Sequence, residues 1–174
     1  MSPPNRILPL AFVLALGLGL SPAAVRADLT VGDAFPALAT AGLTGGTLPA
    51  TADRVVLVDF FASWCAPCKE SFPDYAKLYA DYAPRGLVIV AVSVDEKPAA
   101  YAAFVKKLHP PFPALHDHDQ QLVREVKVPT MPTSYLLGRD GRVRYVHQGF
   151  HGQETDRELR REIDALLAEK ANPS

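Results

Sequence analysis

The stretch VVLVDFFASWCAPCKE at residues 55–70 decides the fold. Its first seven residues form an apolar, β-branched run of strand length, and the pattern that follows Cys65 and Cys68 is helical. The residues that this helix would present on one face are Phe72, Tyr75, Leu78 and Tyr79. We therefore predict a buried strand that delivers two thiols to the N-terminus of a helix.

This position gives the two thiols different chemical roles. A helix N-terminus carries roughly +0.5 of an elementary charge and unpaired N–H groups, so it stabilises a thiolate at Cys65 and lowers the pKa of that thiol from about 8.5. Cys68 lies one helical turn further on, close enough to attack a mixed disulfide formed at Cys65. Pro67 is tolerated there because its missing N–H would have no intrahelical partner. We predict that Cys65 is the nucleophile and Cys68 the resolving thiol.

The motif resembles the active site of the thioredoxin superfamily, which reads Trp-Cys-x-x-Cys after an apolar strand. The resemblance implies a thioredoxin-like α/β fold and makes Trp64 an aromatic lid beside the nucleophile. Two other interpretations of Cys65 and Cys68 are a permanently closed disulfide and half of a metal site. A stapling disulfide more often closes a long loop, and a zinc site of this kind needs a second pair of ligands.

Asp59 is a lone carboxyl group in a run that we expect to be buried on both faces. Burying an ionised, unpaired carboxylate costs several kcal/mol, so desolvation should raise the pKa of Asp59 toward neutrality. Such a group is suited to take the proton of Cys68 during resolution and to return it later. By its offset before the first cysteine, Asp59 also resembles the buried Asp of thioredoxin. The alternative is a solvated, inert Asp at a strand end.

Length, composition and charge exclude several classes of protein. The chain has 174 residues and is 48% hydrophobic, which is enough for one domain with a substantial core. The formal net charge is −1, and it becomes −3 without residues 1–27, which contain two arginines and no acid. Nothing in this balance indicates a nucleic acid or an anionic membrane surface as a partner. The only two cysteines are those of the motif, so no framework of structural disulfides competes with a redox interpretation.

Residues 1–27 have the pattern of a secretory signal peptide. Arg6 provides a basic start, residues 7–20 are almost wholly apolar, and small residues precede a cleavage after Ala27. The alternative is a retained membrane anchor, but the apolar run is shorter than the roughly 20 residues that span a bilayer. We expect export to a bacterial-type periplasm and a mature thioredoxin-like domain at residues 28–174.

The segment before the first strand is small, polar and rich in glycine. Two short strand candidates, residues 37–40 and 47–48, flank a Gly45-Gly46 turn, so we predict an N-terminal β-hairpin. The preceding run VGDAFP at residues 31–36 resembles the lead-in of the exported TlpA/ResA-like (DsbE/CcmG-like) thioredoxins and of the peroxiredoxins. Peroxiredoxins use a single cysteine in a different setting, so the Cys-x-x-Cys pair favours the TlpA/ResA-like proteins.

A second carboxyl group follows the next strand. Residues 87–92 predict another buried strand, and the strand–helix–strand order implies a right-handed βαβ unit with a parallel sheet. Residues 93–96 then leave this strand at its carboxyl edge, where ligands bind in such sheets. Glu96 resembles the Glu that ResA-like proteins place near the dithiol, which implies a role in tuning the thiols. The alternative is an acidic lead-in to a helix at residues 99–108.

The region that follows resembles the central insertion of the TlpA/ResA-like proteins. It contains a short strand candidate at residues 112–115 and a helix candidate at residues 120–126. Between them lies His116-Asp117-His118-Asp119, which we interpret as a solvated turn and helix cap. A metal site is the weaker interpretation because no further convergent ligands are evident.

The run VPTMPT at residues 128–133 enters an apolar strand and resembles the cis-proline loop of the superfamily, with Pro132 as the cis residue. The resemblance implies that the backbone of Met131 lies against the two cysteines, where it can pair with an extended substrate peptide and keep a metal off the thiols. The alternative is an ordinary trans proline. An Asp-Gly turn at residues 140–141, a half-exposed strand and an amphipathic helix at residues 155–169 complete the chain. His147 and His151 are expected at the surface.

We therefore expect an α/β, thioredoxin-like fold with a central mixed β-sheet flanked by helices. The resemblance implies thiol–disulfide exchange with protein substrates by a monomer that needs no cofactor and depends on an electron donor at the membrane. Most TlpA/ResA-like proteins act as reductants in cytochrome c assembly or copper-site maturation. One alternative is a copper or zinc chaperone that holds metal at Cys65 and Cys68, and a weaker one is a thiol peroxidase.

Overall fold

The computed structural model describes residues 29–169, and its five strands and four α-helices all lie from residue 55 onward. The strands are β1 (Val55–Phe61), β2 (Leu87–Ser93), β3 (Ala114–His116), β4 (Thr133–Leu137) and β5 (Val143–Gln148). The helices are α1 (Ala66–Tyr82), α2 (Pro98–Leu108), α3 (Gln121–Val126) and α4 (Gln153–Ala168). The predicted order of elements from residue 55 onward is confirmed. The predicted signal peptide at residues 1–27 lies outside the described residues.

The five strands form one mixed sheet in the order β3-β2-β1-β4-β5. β1 pairs in parallel with β2, and β2 with β3, whereas β4 is antiparallel to both β1 and β5. The predicted mixed sheet flanked by helices is therefore confirmed. α2, β3 and α3 lie between β2 and β4, in the region predicted as a central insertion.

β1 lies at the centre of the sheet and all seven of its residues are buried. Its last residue, Phe61, packs against Phe72 of α1 and Phe104 of α2, with ring centroids 4.9 and 4.8 Å apart. Phe72 and Phe104 also contact each other at 4.9 Å. This aromatic cluster fixes the first turns of α1 on the sheet, because packing in a protein interior leaves little room for a helix to slide.

The predicted N-terminal β-hairpin is wrong. Residues 29–54 contain only a 3₁₀ turn, Leu38–Thr40, and isolated bridges that join Ala34 to Arg142 and Thr44 to His116. Thr44 and His116 exchange two backbone hydrogen bonds of 3.0 and 2.8 Å. The two candidate strands therefore do not pair with each other, because the backbone of this segment finds partners at β3 and beside β5 instead.

The solvated turn predicted at His116-Asp117 is also wrong in part, since these residues are only 2% and 1% exposed. Asp117 does cap α3, as predicted, and its carboxylate accepts from the N–H groups of Gln121 and Val123 at 2.9 and 2.8 Å. His147 is not a free surface residue either. Its Nε2 lies 2.7 Å from Oε2 of Glu162, and the two side chains are 11% and 9% exposed.

Within residues 29–169, none of the helices combines the length and the apolar character that a membrane crossing requires.

Candidate active site

The two cysteines lie where β1 leads into α1, as predicted, and they are joined by a disulfide. Cys65 is the N-cap residue of α1, with an extended backbone, and its Sγ accepts a hydrogen bond of 3.2 Å from the N–H of Cys68. Pro67 occupies the first turn, where no intrahelical N–H donor is lost. The helix N-terminus therefore points a positive partial charge and a donor at the sulfur of Cys65.

The two cysteines differ in their access to solvent. Cys65 is 4% exposed and Cys68 is fully buried, whereas the neighbouring Trp64 is 69% exposed. Of the two sulfur-bearing residues, only Cys65 therefore has any surface that a substrate could reach. This asymmetry fits the predicted division between a nucleophile and a resolving thiol.

Asp59 is fully buried in the middle of β1, so the expected burial is confirmed. Its Oδ1 accepts a hydrogen bond from Ser134 Oγ at 2.8 Å and lies 3.2 Å from the Tyr75 hydroxyl. Its Oδ2 has no hydrogen-bond partner among residues 29–169. Burial raises the pKa of Asp59 to about 7, and the two hydroxyl groups oppose that rise. The carboxyl group can therefore gain and lose a proton near neutral pH.

The sequence did not identify Tyr75 and Ser134 as the polar neighbours of Asp59. We predicted Tyr75 as one of the residues on the apolar face of α1, and it is fully buried as such a residue should be. A buried tyrosine hydroxyl needs a hydrogen-bond partner, and this requirement was the available signal. Ser134 lies directly across from Asp59 in the pairing of β1 with β4, which the sequence alone does not reveal.

The two acidic residues that follow β2 lie in different environments. Glu96, the predicted candidate, is exposed and lines a groove. Asp95, which we had not singled out, is 3% exposed, and its carboxylate accepts from Ser63 N at 3.0 and 3.1 Å and from Ser63 Oγ at 2.7 Å. Ser93 Oγ donates a further bond of 2.9 Å. Asp95 therefore anchors the loop that precedes Trp64 and Cys65.

The peptide bond between Met131 and Pro132 is cis, as predicted. Met131, Trp64 and Glu96 line one groove of about 430 Å³, and Trp64 directly precedes Cys65 in the chain. The remaining residues that line this groove are Ser63, Val94, Asp95, Lys97, Ala100, Gln120 and Val123. The structure thus brings three of the predicted site residues to one surface, while Pro132 itself is buried and does not line the groove.

Comparison with known proteins places the chain in a family. The family model described as Redoxin matches residues 30–163, which include both cysteines and Pro132. The chain belongs to the Redoxin family. The predicted resemblance to the TlpA/ResA-like members of the thioredoxin superfamily is confirmed by individual relatives of this Redoxin chain.

Two relatives are named thiol-disulfide oxidoreductase ResA. The protein from Oceanobacillus iheyensis is 35% identical over 94 residues, which are 54% of this chain and 49% of that protein. The protein from Bacillus subtilis is 36% identical over 88 residues, 51% of this chain and 49% of that protein. The chain therefore spans about half the length of the curated relatives that it matches.

A solved structure matches over a larger share of the chain. The putative thiol:disulfide interchange protein DsbE from Chlorobium tepidum is 34% identical and superimposes with a TM-score of 0.74. The match covers 81% of this chain and 100% of that one. The thioredoxin-like fold predicted from the sequence is thereby confirmed for this Redoxin-family chain.

The potential metal-ligating side chains of the Redoxin domain do not cluster in the part that the structure describes. Within residues 29–169, no three His, Cys, Asp or Glu side chains are grouped so that they could hold a metal ion. The site as it stands offers a cysteine pair, a buried carboxyl group and an exposed aromatic side chain beside a groove. These groups can form and break disulfides and can move one proton.

Proposed function

We propose that this chain is an exported thiol–disulfide oxidoreductase that exchanges disulfides with protein substrates. The observation that carries the proposal is the Cys65–Cys68 disulfide at the N-terminus of α1, in which Cys65 keeps a small exposed area and Cys68 has none. A helix N-terminus lowers the pKa of a thiol, and a lowered pKa supplies the thiolate that attacks a disulfide. The names of the ResA and DsbE relatives support the same activity.

The reaction in the reducing direction begins with the dithiol form. The Cys65 thiolate attacks one sulfur of a substrate disulfide, which forms a mixed disulfide and releases the first substrate thiolate. Cys68 then loses its proton and attacks Sγ of Cys65. The Cys65–Cys68 disulfide forms, the second substrate thiolate leaves, and each released thiolate takes up a proton according to its own pKa. Two electrons pass from the dithiol to the substrate.

Asp59 is the proton acceptor that we propose for the second step. Cys68 is fully buried, so its thiol cannot pass a proton directly to bulk water. A carboxyl group with a pKa of about 7 can accept that proton and release it again at the same pH. We assign the groove lined by Trp64 and Met131 to the substrate peptide, with Glu96 as a further carboxylate on its wall and the cis bond at Pro132 setting the backbone of Met131.

The cellular role that we propose is that of a reductant in the periplasm, which keeps thiols free for cytochrome c assembly or copper-site maturation. Such a protein would receive electrons from a donor at the membrane. The signal-like residues 1–27, the absence of cysteines outside the motif and the Ala66-Pro67 pair, which resembles that of thioredoxin, support this role. We expect a monomer.

Two serine variants test the activity and the roles of the two cysteines. Reduced Cys68→Ser should form a stable mixed disulfide with an oxidised protein such as insulin, because the resolving thiol is absent. Cys65→Ser should form none, since Cys68 is buried. Mass spectrometry of the non-reduced mixture detects the adduct. An adduct with Cys65→Ser alone would reverse the assignment, and no exchange by the unaltered protein would overturn the proposed function.

A further inference from the structure

Three buried polar groups form a closed triangle beneath α1. Ser134 Oγ lies 2.8 Å from Asp59 Oδ1, the Tyr75 hydroxyl lies 2.8 Å from Ser134 Oγ, and the same hydroxyl lies 3.2 Å from Asp59 Oδ1. All three residues are at most 1% exposed. Buried polar groups in this number and proximity are costly to assemble unless their hydrogen bonds are satisfied.

The number of hydrogen atoms available to the three groups determines which of their contacts are hydrogen bonds. Each hydroxyl has one hydrogen, so an ionised Asp59 leaves two hydrogens for three contacts. The two contacts of 2.8 Å have the distance typical of O–H···O bonds, whereas the contact of 3.2 Å lies outside that range. The assignment that satisfies both short contacts has Tyr75 donating to Ser134, and Ser134 donating to Oδ1 of Asp59.

We propose that Tyr75 and Ser134 are positioning residues: they hold Oδ1 of Asp59 and leave Oδ2 to exchange the proton with the dithiol. This proposal rests on the thiol–disulfide exchange proposed above. Oδ2 has no partner among the described residues, so a proton there displaces no existing hydrogen bond. In the resolving step, the S–H bond of Cys68 breaks, an O–H bond forms at Oδ2, and the sulfur keeps the electron pair with which it attacks Cys65. The two hydrogen bonds from Tyr75 to Ser134 and from Ser134 to Oδ1 form a relay, and this relay is the same before and after the transfer.

The relay also connects the carboxyl group to the helix that carries Cys68. Tyr75 lies on the buried face of α1, and long side chains on a helix lean toward its N-terminus, here toward the cysteines. Ser71, on the turn between them, donates to the carbonyl oxygen of Cys68 at 3.0 Å. The position of Oδ1 is therefore tied to α1 through the hydroxyl groups of Ser134 and Tyr75.

The neighbours of Asp59 are few enough for a clean titration. Its sheet partners are Ala91 on β2 and Ser134 on β4, and neither titrates. Tyr75 faces it from α1, and burial keeps the pKa of this phenol well above 10. Among the described residues, no charged side chain contributes to the pKa of Asp59. The thiol of Cys68 is removed from the titration when the disulfide is intact.

The test is the protonation midpoint of Asp59 in the oxidised protein, followed by its carboxyl ¹³C signal. Ser134→Ala removes the donor to Oδ1 and breaks both short contacts, so the midpoint should rise by about one pH unit or more. Tyr75→Phe leaves the Ser134 donor in place and should raise it by less than half of that shift. Ser134→Thr retains the hydroxyl and should restore the midpoint. Tyr79→Phe, one turn later on α1, is the matched control and should leave it unchanged.

Several outcomes would overturn the inference. Unchanged midpoints in Ser134→Ala and Tyr75→Phe would show that these residues do not position Asp59. A larger shift for Tyr75→Phe than for Ser134→Ala would contradict the order of the relay. The pH profile for release of substrate from the mixed disulfide should shift by the same amounts as the midpoint, and a fixed profile would contradict proton exchange at Asp59. The midpoint itself is measured without substrate, so failure of the proposed function would leave it intact.

Discussion

Replacing Asp59 with asparagine should remove a loss of stability that the oxidised, unaltered protein undergoes as the pH rises. Burial raises the pKa of Asp59 from 3.8 to about 7 in the folded protein. At 1.36 kcal/mol for each pH unit of this difference, ionisation of Asp59 costs the folded state about 4 kcal/mol above pH 7. The Asp59→Asn variant carries no such cost because its amide does not ionise.

The sign of the effect follows from proton binding. Between a pH of about 4 and a pH of about 7, the folded state holds the proton of Asp59 and the unfolded state does not. The free energy of unfolding therefore falls as the pH rises through this window and is flat above it. Roughly 2–3 kcal/mol of this loss of unfolding free energy lies between pH 5 and pH 8, since the loss begins near pH 4 and about one pH unit of the window lies below pH 5.

The assay is urea unfolding of the oxidised protein and of oxidised Asp59→Asn, each at about pH 5 and about pH 8. The intact disulfide keeps both cysteines from titrating. The substitution places an amide where Oδ2 lies, and the unpaired donor there adds a cost that does not depend on pH. The informative quantity is therefore the change, between the two pH values, in the difference between the two proteins. That change should be roughly 2–3 kcal/mol in favour of Asp59→Asn.

A difference between the two proteins that stays constant with pH would refute this reasoning. It would mean that Asp59 has an ordinary pKa despite its burial, or that water reaches Oδ2 freely. Asp59 would then be ionised throughout the neutral range and could not accept the proton of Cys68.

Three further substitutions, one of them with a control at an exposed site, have outcomes that follow from packing, hydrogen bonding and backbone conformation. Phe72→Ala removes a ring from the aromatic cluster and should lower the free energy of unfolding by roughly 3–5 kcal/mol in urea titrations, whereas Val31→Ala, at a site that is 64% exposed, should change it by less than about 0.5 kcal/mol. Asp95→Asn weakens the bonds to Ser63, so the anisotropy of tryptophan fluorescence should fall and stability should drop by about 1–3 kcal/mol; unchanged anisotropy would contradict an anchoring role. Gly45 has a φ of +84°, and a Cβ at this position would clash with the side chain of Tyr101, so Gly45→Ala should lower the melting temperature; an unchanged value would contradict the described path of this segment.

The parts of the fold that were predicted correctly are those in which local pattern and burial agree. β1 is apolar apart from Asp59 and is buried throughout, and α1 begins directly after Cys65, its N-cap residue. The cis bond at Pro132 came from resemblance to the superfamily and not from the residues around it. These features depend on neighbours in sequence or on a motif, and both can be seen in one chain.

The N-terminal hairpin failed because its backbone partners are distant in sequence. Thr44 bonds to His116, 72 residues away, and the side chain of Arg142 donates to the carbonyl of Gly32 across 110 residues. A strand-like pattern shows that a segment has backbone groups to pair and does not show with which segment they pair. The buried His116 side chain also has partners outside its local sequence, since its ring stacks on Tyr101 at 4.8 Å and its Nε2 lies 2.6 Å from the carbonyl oxygen of Asp95.

The sequence pointed to Cys65, Cys68 and Asp59 as candidate site residues, but it did not reveal the residues that contact Asp59. Asp59 was identified because a charge in an apolar run is conspicuous, but its partner Ser134 is 75 residues away and ordinary in its local sequence. The choice of Glu96 over Asp95 rested on resemblance. Asp95 is the buried member because Ser63, 32 residues earlier, presents an N–H and a hydroxyl that require an acceptor.

The reduction potential of the Cys65–Cys68 pair is the most direct test of the proposed role as a reductant. The mature protein would be equilibrated in dithiothreitol or glutathione buffers, and the emission of Trp64, the only tryptophan, would be followed. We predict a value near or below that of thioredoxin, roughly −270 mV. A value near about −120 mV would contradict this role and would make the protein an oxidant of thiols.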